Sequence, residues 1–405
     1  MKWLKLAYAN VLRNKRRTVI TILITAIGMT SLLVGGGFAN FTYQGLREMA
    51  ARDSGHVIIS HKNFVDKEEE VPMQYGIDNY QVLANEIRKN KDIRFALPRI
   101  EFSGLISNGD KSSIFLGTGV DPAGEFKVKG PFLTMVEGSV LSRREKLDEP
   151  KVIIGKGMAK SMGVSVGDSL TLMGTTTEGS LNALDVTIQG IMTTGVPEMD
   201  KRAIYVNIQT AQALLQTEKV STLSIYLRST DDTDAIQDYL QAQHPEYGYQ
   251  TWLVKAFYYF GVKGIYDRIF GVLGVVILIM VFFSISNTVS MSVLERTREI
   301  GTLRAMGTHQ WEVVRGFTLE GLVIGSFGSV LGTILGFAIS MLFHVLDLQM
   351  PPPPGRSDSY PLAIDIPLVL YGTAILMSIT VCMVAAWLAA RKASSKSIVE
   401  ALTHV

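Results

Sequence analysis

The stretch Asn287 to Gly307, NTVSMSVLERTREIGTLRAMG, decides how the rest of the chain is read. Upstream, Ile269 to Leu294 holds no Asp, Glu, Lys or Arg over about 26 residues, more than the roughly 20 a helix needs to cross a bilayer core. Glu295, Arg296, Arg298, Glu299 and Arg304 then crowd together, a charge load too costly to leave in hydrocarbon. A membrane-spanning helix therefore ends here and a surface segment begins. Continued as a helix, that segment carries Ile300, Leu303 and Met306 on one face, with Glu295, Arg298 and Glu299 elsewhere, and stops at Gly307. Such a short amphipathic helix is either a solvated connector between two spans or a docking surface for another protein.

Working outward, 47% of the 405 residues are hydrophobic, and they gather in four long runs, the pattern of a membrane protein. A formal charge of +2 leaves no electrostatic footprint for nucleic acid, because the basic residues collect at the edges of the apolar runs. The single cysteine, Cys382, lies inside the last run, so neither an intrachain disulfide nor a multi-cysteine zinc site can form. His56, His61 and His244 are too scattered to read as a metal site, and no nucleophile-base arrangement stands out.

In chain order, residues 1–17 carry Lys2, Lys5, Arg13, Lys15, Arg16 and Arg17 without an acid, and Trp3, Leu4, Ala7, Tyr8, Val11 and Leu12 fall at helical spacing. That is a basic amphipathic helix of the kind that lies along headgroups. The uncharged run 18–46 is the first span; a cleaved signal is the competing reading, but the run exceeds the roughly 7–15 apolar residues of a signal core. Residues 47–263 are polar and turn-rich. They hold β-type runs at His56–Ser60, Ser113–Leu116, Val152–Ile154, Leu184–Ile191 and Leu223–Leu227. Helical patterns lie at Asn79–Lys89, Gly157–Met162, Thr210–Leu215 and Thr233–Gln243, which together make a large α+β domain of two lobes. Gly155, Lys156 and Gly157 follow a strand, but their spacing is wrong for a phosphate loop. The acidic run Asp66 to Glu70 reads as a solvated loop.

The second span covers 264–294 and contains Asn287, whose amide is expensive to leave facing lipid and is expected against a helix partner. Residues 295–312 follow as the surface helix. The third span, 313–346, has Gly321, Gly325, Gly328, Gly332 and Gly336 at GxxxG spacing, which lets helices approach closely either within the chain or between subunits. A loop at 347–366 with Pro351 to Pro354 precedes the fourth span at 367–390, and the tail 391–405 opens with Arg391 and Lys392. The Lys and Arg distribution puts residues 1–17, 296–315 and the tail on the cytoplasmic side and the large domain outside.

The string E-R-x-R-E-I-G-x-L-R-A-x-G, Glu295 to Gly307, resembles the signature of the FtsX-type permeases of ABC transporters, the group containing MacB and LolC/LolE. Val152 to Leu172, VIIGKGMAKSMGVSVGDSLTL, is similar to the MacB-like periplasmic core domain, where an I-G-x-x-x-A element precedes a V-G-D turn. Ala389 to Leu402 matches the family's closing A-R-x-A-x-x-x-x-P-x-E-A-L in part, with Ser397 and Ile398 where Asp-Pro is common.

The resemblance implies an α-helical membrane protein with four transmembrane helices and a large extracytoplasmic α+β domain inserted between helices 1 and 2. It implies a bacterial inner-membrane location with both termini cytoplasmic. A mechanotransmission permease of this kind is not an enzyme: it has no catalytic residue, no metal and no cofactor of its own. ATP and Mg belong to two copies of a separate cytoplasmic ABC ATPase. Further implied partners are a second permease copy or paralogue, membrane lipid, and a periplasmic carrier or substrate-binding protein, with no nucleic acid. Glu295, Arg296, Arg298, Glu299, Ile300, Gly301, Leu303, Arg304, Ala305 and Gly307 would form the ATPase-coupling segment. In it the arginines would pair with acids of the ATPase while Ile300 and Leu303 pack. The expected function is ATP-driven motion of the outer domain that extracts or exports a lipoprotein, lipid or other amphiphile from the outer leaflet. The alternatives are MacB-like efflux of a periplasmic peptide or drug, and FtsX-like regulation of a cell-wall hydrolase.

Overall fold

The computed structural model describes residues 2–13, 15–66, 73–129, 134–142, 149–346, 348–350 and 360–394. Most of the acidic run at 66–70, the prolines at 351–354 and the closing motif beyond Ser394 lie outside the described residues. Chain order runs α1 (Lys2–Arg13), α2 (Lys15–Ser54), β1 (Val57–His61), α3 (Asn63–Asp66), α4 (Tyr80–Ile87), β2 (Ile93–Ser107), β3 (Ser112–Val120), α5 (Pro122–Lys129), β4 (Thr134–Gly138), β5 (Lys151–Gly155) and α6 (Lys156–Met162). It continues through β6 (Ser169–Thr175), β7 (Leu181–Thr193), α7 (Pro197–Asp200), β8 (Ala203–Asn207), α8 (Ile208–Leu215), β9 (Thr222–Leu227), α9 (Thr233–Gln243), β10 (Tyr247–Thr251), α10 (Phe257–Glu295), α11 (Thr297–Ala305), α12 (Gln310–Leu346) and α13 (Leu368–Ala393).

Two compact units result, one formed by residues 1–44, 262–350 and 361–405, the other by 45–261 with 351–360. α2, α10, α12 and α13 are long and apolar enough to cross a membrane. The helices overrun the apolar runs that mark them in the sequence. α2 extends from Lys15 to Ser54 where the run covers 18–46, and α10 starts at Phe257 where the run starts at 264. The charged flanks do not stop them because Arg47, Glu48, Met49 and Ala50 are good helix formers, whereas Gly55 at φ 100° ends α2.

α12 is the central helix of the first unit, and its glycines explain why. A Cβ built on Gly321 would lie 2.5 Å from the Ala386 Cβ, and one on Gly325 would lie 2.8 Å from the Cys382 Cβ. That pair admits α13. The same atom on Gly328 or Gly332 would lie 2.6 Å from the Cβ of Thr25 or Met29, and on Gly336 3.2 Å from Leu33, so the next three admit α2. Of the two seams the spacing allows, these five glycines make the one within the chain.

In the second unit ten strands form one connected sheet, ordered β10-β1-β9-β2-β3-β8-β5-β7-β4. β6 joins β7 back to β2, so that β2, β3, β8, β5, β7 and β6 close a ring of paired strands, while β9, β1 and β10 extend from β2 as an open sheet. Helices α4, α6, α8 and α9 bury Leu83, Met158, Leu214 and Leu240 in the same core as Phe115, Ile154 and Ile225. β2 belongs to both parts: Ile93 to Arg99 pairs with β9, and Arg99 to Ser107 pairs with β3. The sequence does not announce β2, because Pro98 interrupts its run. At Pro98 only the β9 side is paired, which leaves room for a residue without an N–H.

Candidate docking site

α10 ends at Glu295, and Arg296 leaves the helical path at φ −109°, ψ 15° before α11 begins. The other end of α11 closes in a Schellman motif: the Gly307 N–H donates to the Arg304 carbonyl and the Thr308 N–H to the Leu303 carbonyl, each at 3.1 Å, with Gly307 at φ 99°. The His309 N–H then donates to the Glu312 carboxylate at 3.2 Å, half of a capping box that starts α12. The charged segment is thus a separate short helix with defined stops at both ends.

α11 buries Thr297, Ile300 and Gly301, a stripe that continues to half-buried Arg304. The apolar face expected through Ile300, Leu303 and Met306 is split. Ile300 packs inward, whereas Leu303 is 45% and Met306 72% exposed. The reason is angular: 297, 300, 301 and 304 share one side of the helix, Leu303 lies about 100° round from Arg304, and Met306 is past the last helical residue. Arg298, Ala305 and Gly307 are exposed too, and Trp311 at the start of α12 adds a large exposed ring.

The arginines divide differently from the expectation that all three meet a partner's acids. Arg296 donates to Asn10 Oδ1 at 2.6 Å and to Glu320 Oε1 at 3.3 Å, and lies 3.7 Å from Glu299. Asn10 Nδ2 completes the triangle by donating to the same Glu320 oxygen at 2.8 Å. Glu320 is buried, and a carboxylate there needs a cation beside it, so Arg296 is committed within the chain. Arg304 donates to the Ser394 carbonyl at 3.3 Å. Arg298 is the one left on the exposed side. Arg13 pairs with Glu299 at 3.1 Å and Arg17 with Glu295 at 3.2 Å, surface contacts worth about 0–1 kcal/mol each. Arg13, Glu299, Leu303, Thr308, Glu312 and Phe317 line part of a groove of about 390 Å³ between α1, α11 and α12.

Asn10 and Glu320 are members of this site that sequence reasoning does not pick out. Glu320 had a signal, being an acid at the threshold of the glycine-rich run; Asn10 had none. Asn287 is exposed along α10 and so meets no helix partner within the chain, while its neighbour Thr288 turns inward and meets the Thr21 hydroxyl at 2.9 Å. One residue is about 100° of helix, so only one of the two can face α2.

The family model for the FtsX-like permease C-terminal domain matches residues 271–398, and that for the MacB-like periplasmic core domain matches residues 18–243. The chain is 24% identical over 359 residues to the lipoprotein-releasing system transmembrane protein LolC of Neisseria meningitidis serogroup B, covering 82% of this chain and 80% of that one. It is 23% identical over 348 residues to the lipoprotein-releasing system transmembrane protein LolE of Haemophilus influenzae, covering 81% and 80%. It is 20% identical over 366 residues to the macrolide export ATP-binding/permease protein MacB of Mannheimia succiniciproducens, covering 85% of this chain and 54% of that protein.

Proposed function

This chain belongs to the MacB-like periplasmic core family and is an ABC transporter permease of the LolC/LolE/MacB type, and from that premise we propose that it converts ATP hydrolysis by a separate cytoplasmic ATPase into movement of its α+β domain. The cargo in this reading is a lipoprotein, lipid or other amphiphile drawn from the outer leaflet of the inner membrane. Its support is the likeness to two relatives named for lipoprotein release, at 24% and 23% identity.

The observation that carries the reading is α11 itself. Leu303, Met306, Trp311 and Arg298 are exposed, and Arg296 braces the start of the helix against α1 and α12 through Asn10 and Glu320. An apolar patch beside a cation, on a short helix held from behind, can receive a partner and pass a push into the bundle. In this reading α1, α11 and the tail share the cytoplasmic side. The Arg13–Glu299 pair and the Arg304–Ser394 hydrogen bond support that grouping. Asn287 and the exposed apolar side of α10 would meet a second permease copy or paralogue, since only 11% of the most apolar part of α10 is buried, against 39% for α12.

The test is co-purification of the full chain with its ABC ATPase from detergent. The double variant Leu303→Asp, Met306→Asp is expected to lower recovery of the ATPase at least tenfold while the permease keeps its thermal transition. Undiminished recovery would remove α11 as the docking element.

A further inference from the structure

The end of α2 is tied into the α+β unit by charged groups as well as by Ala51, which packs on Trp252 and Ala256. Residues from Gly45 onward belong to that unit. Asp53, one residue before the end of the helix, accepts a hydrogen bond from Lys129 Nζ at 2.9 Å, and its backbone carbonyl accepts another from Arg99. Arg99 also forks onto both oxygens of Glu125 and donates to the Tyr226 hydroxyl at 2.6 Å, while Lys129 donates to the Tyr205 hydroxyl at 2.6 Å. These partners come from β2, α5, β8 and β9. The Arg99 and Lys129 side chains are 6% exposed and that of Glu125 is 0% exposed. Burial alone would lower the pKa of Lys129, but Asp53, Tyr205 and Glu125 outweigh it and raise it, so the ammonium stays charged.

A second clasp lies further back along the helix. Arg47 donates to Asp231 at 2.6 Å and to the Thr230 carbonyl at 3.0 Å, and Glu48 accepts from the Thr230 hydroxyl, which also meets buried His56 at 3.1 Å. The start of α10 is attached in another way. It follows a single turn at Trp252–Lys255, where Trp252 and Ala256 pack on Ala51, and its ion pair, Lys255 with Glu101, is about 40% exposed on both sides.

Buried ion networks are poor sources of net stability, because desolvation offsets much of their attraction. What they supply is geometry: Arg99, Glu125 and Lys129 are satisfied in few positions, and they hold the end of α2 through the backbone carbonyl and the carboxylate of Asp53, whose side chain is 59% exposed. We propose that Asp53, Lys129, Arg99 and Glu125 form a force-transmitting joint that makes the last turns of α2 move as one body with the α+β domain, while the start of α10 acts as the looser attachment. These are positioning residues for transport, and the inference rests on the permease reading given above.

The experiment uses the full chain with its ATPase in vesicles of phosphatidylethanolamine and phosphatidylglycerol, following ATP-driven release of a fluorescent N-acylated peptide together with hydrogen exchange. Lys129→Met is expected to cut release at least tenfold, and Lys129→Arg to recover at least half of it. In Lys129→Met, amides of residues 48–54 should exchange at least tenfold faster while those of β5 and β8 keep their protection. Release at the unaltered rate in Lys129→Met, or a loss of protection spread evenly through the strands, would overturn the joint. Leu303→Asp separates the two claims: if it releases peptide normally, the docking reading fails, whereas the exchange measurement still decides the joint. A native chain that releases no acyl peptide would count against the cargo reading alone.

Discussion

Two arginines in this chain each face a buried carboxylate, and their surroundings differ. Arg99 and Glu125 lie inside the α+β domain, with tyrosine hydroxyls and a lysine completing the shell. Arg296 and Glu320 lie in the helical unit with an asparagine as the third member, and the arginine keeps 16% of its side chain exposed. The first network has no water-facing outlet through Glu125, so every member depends on the others. The second opens on one side to the groove beside α11, where Arg296 also lies 3.7 Å from half-exposed Glu299.

The largest test of that contrast is Glu125→Ala, which strands Arg99 in the interior. It is expected to destabilise the domain by about 3–5 kcal/mol, read as the shift in a denaturation midpoint of the full chain. Next comes acid. Burial, opposed by Glu48 and assisted by Arg52 and Arg47, lowers the pKa of His56 to about 4. The unfolded imidazole titrates near 6.5, so the unfolded chain takes up the proton first, and stability is complete above that pH and declines as pH falls towards 4. The loss is about 3 kcal/mol, and His56→Gln should flatten the profile over that window.

Glu320→Ala is expected to cost less, about 1–3 kcal/mol, because Arg296 can turn to Glu299 or water. A loss as large as that of Glu125→Ala would erase the distinction between the two networks. Arg13→Ala should change stability by less than about 1 kcal/mol, since both partners of its ion pair are more than half exposed. A larger effect would show that α1 is held to α11 by that contact rather than by the Asn10 triangle.

The legible parts of the fold are those with local causes. Run length marks α2, α10, α12 and α13, and alternation or turn chemistry marks β1, β5, β7 and β9. The charge cluster with its terminal glycine marks α11 as a separate short helix. β2 escapes because a proline rule that holds for fully paired strands meets a strand paired on one side only at that residue. The face of α11 is split, Ile300 turning into the bundle and Leu303 out of it, because spacing names three apolar residues without saying which side the bundle takes. On α10 spacing likewise does not say that Thr288, rather than Asn287, takes the position facing α2.

The sequence alone determined the membrane class, the four apolar helices, the presence of an α+β domain and the short charged helix after the second span, because each follows from composition or periodicity within a few turns. Only the tertiary structure decided which charges are already engaged. Asn10 and Glu320 are 310 residues apart and Asp53 and Lys129 are 76 apart, and a pairing of that range depends on which helices and strands come to lie side by side. That choice is made by the whole core, so no short window of residues contains it.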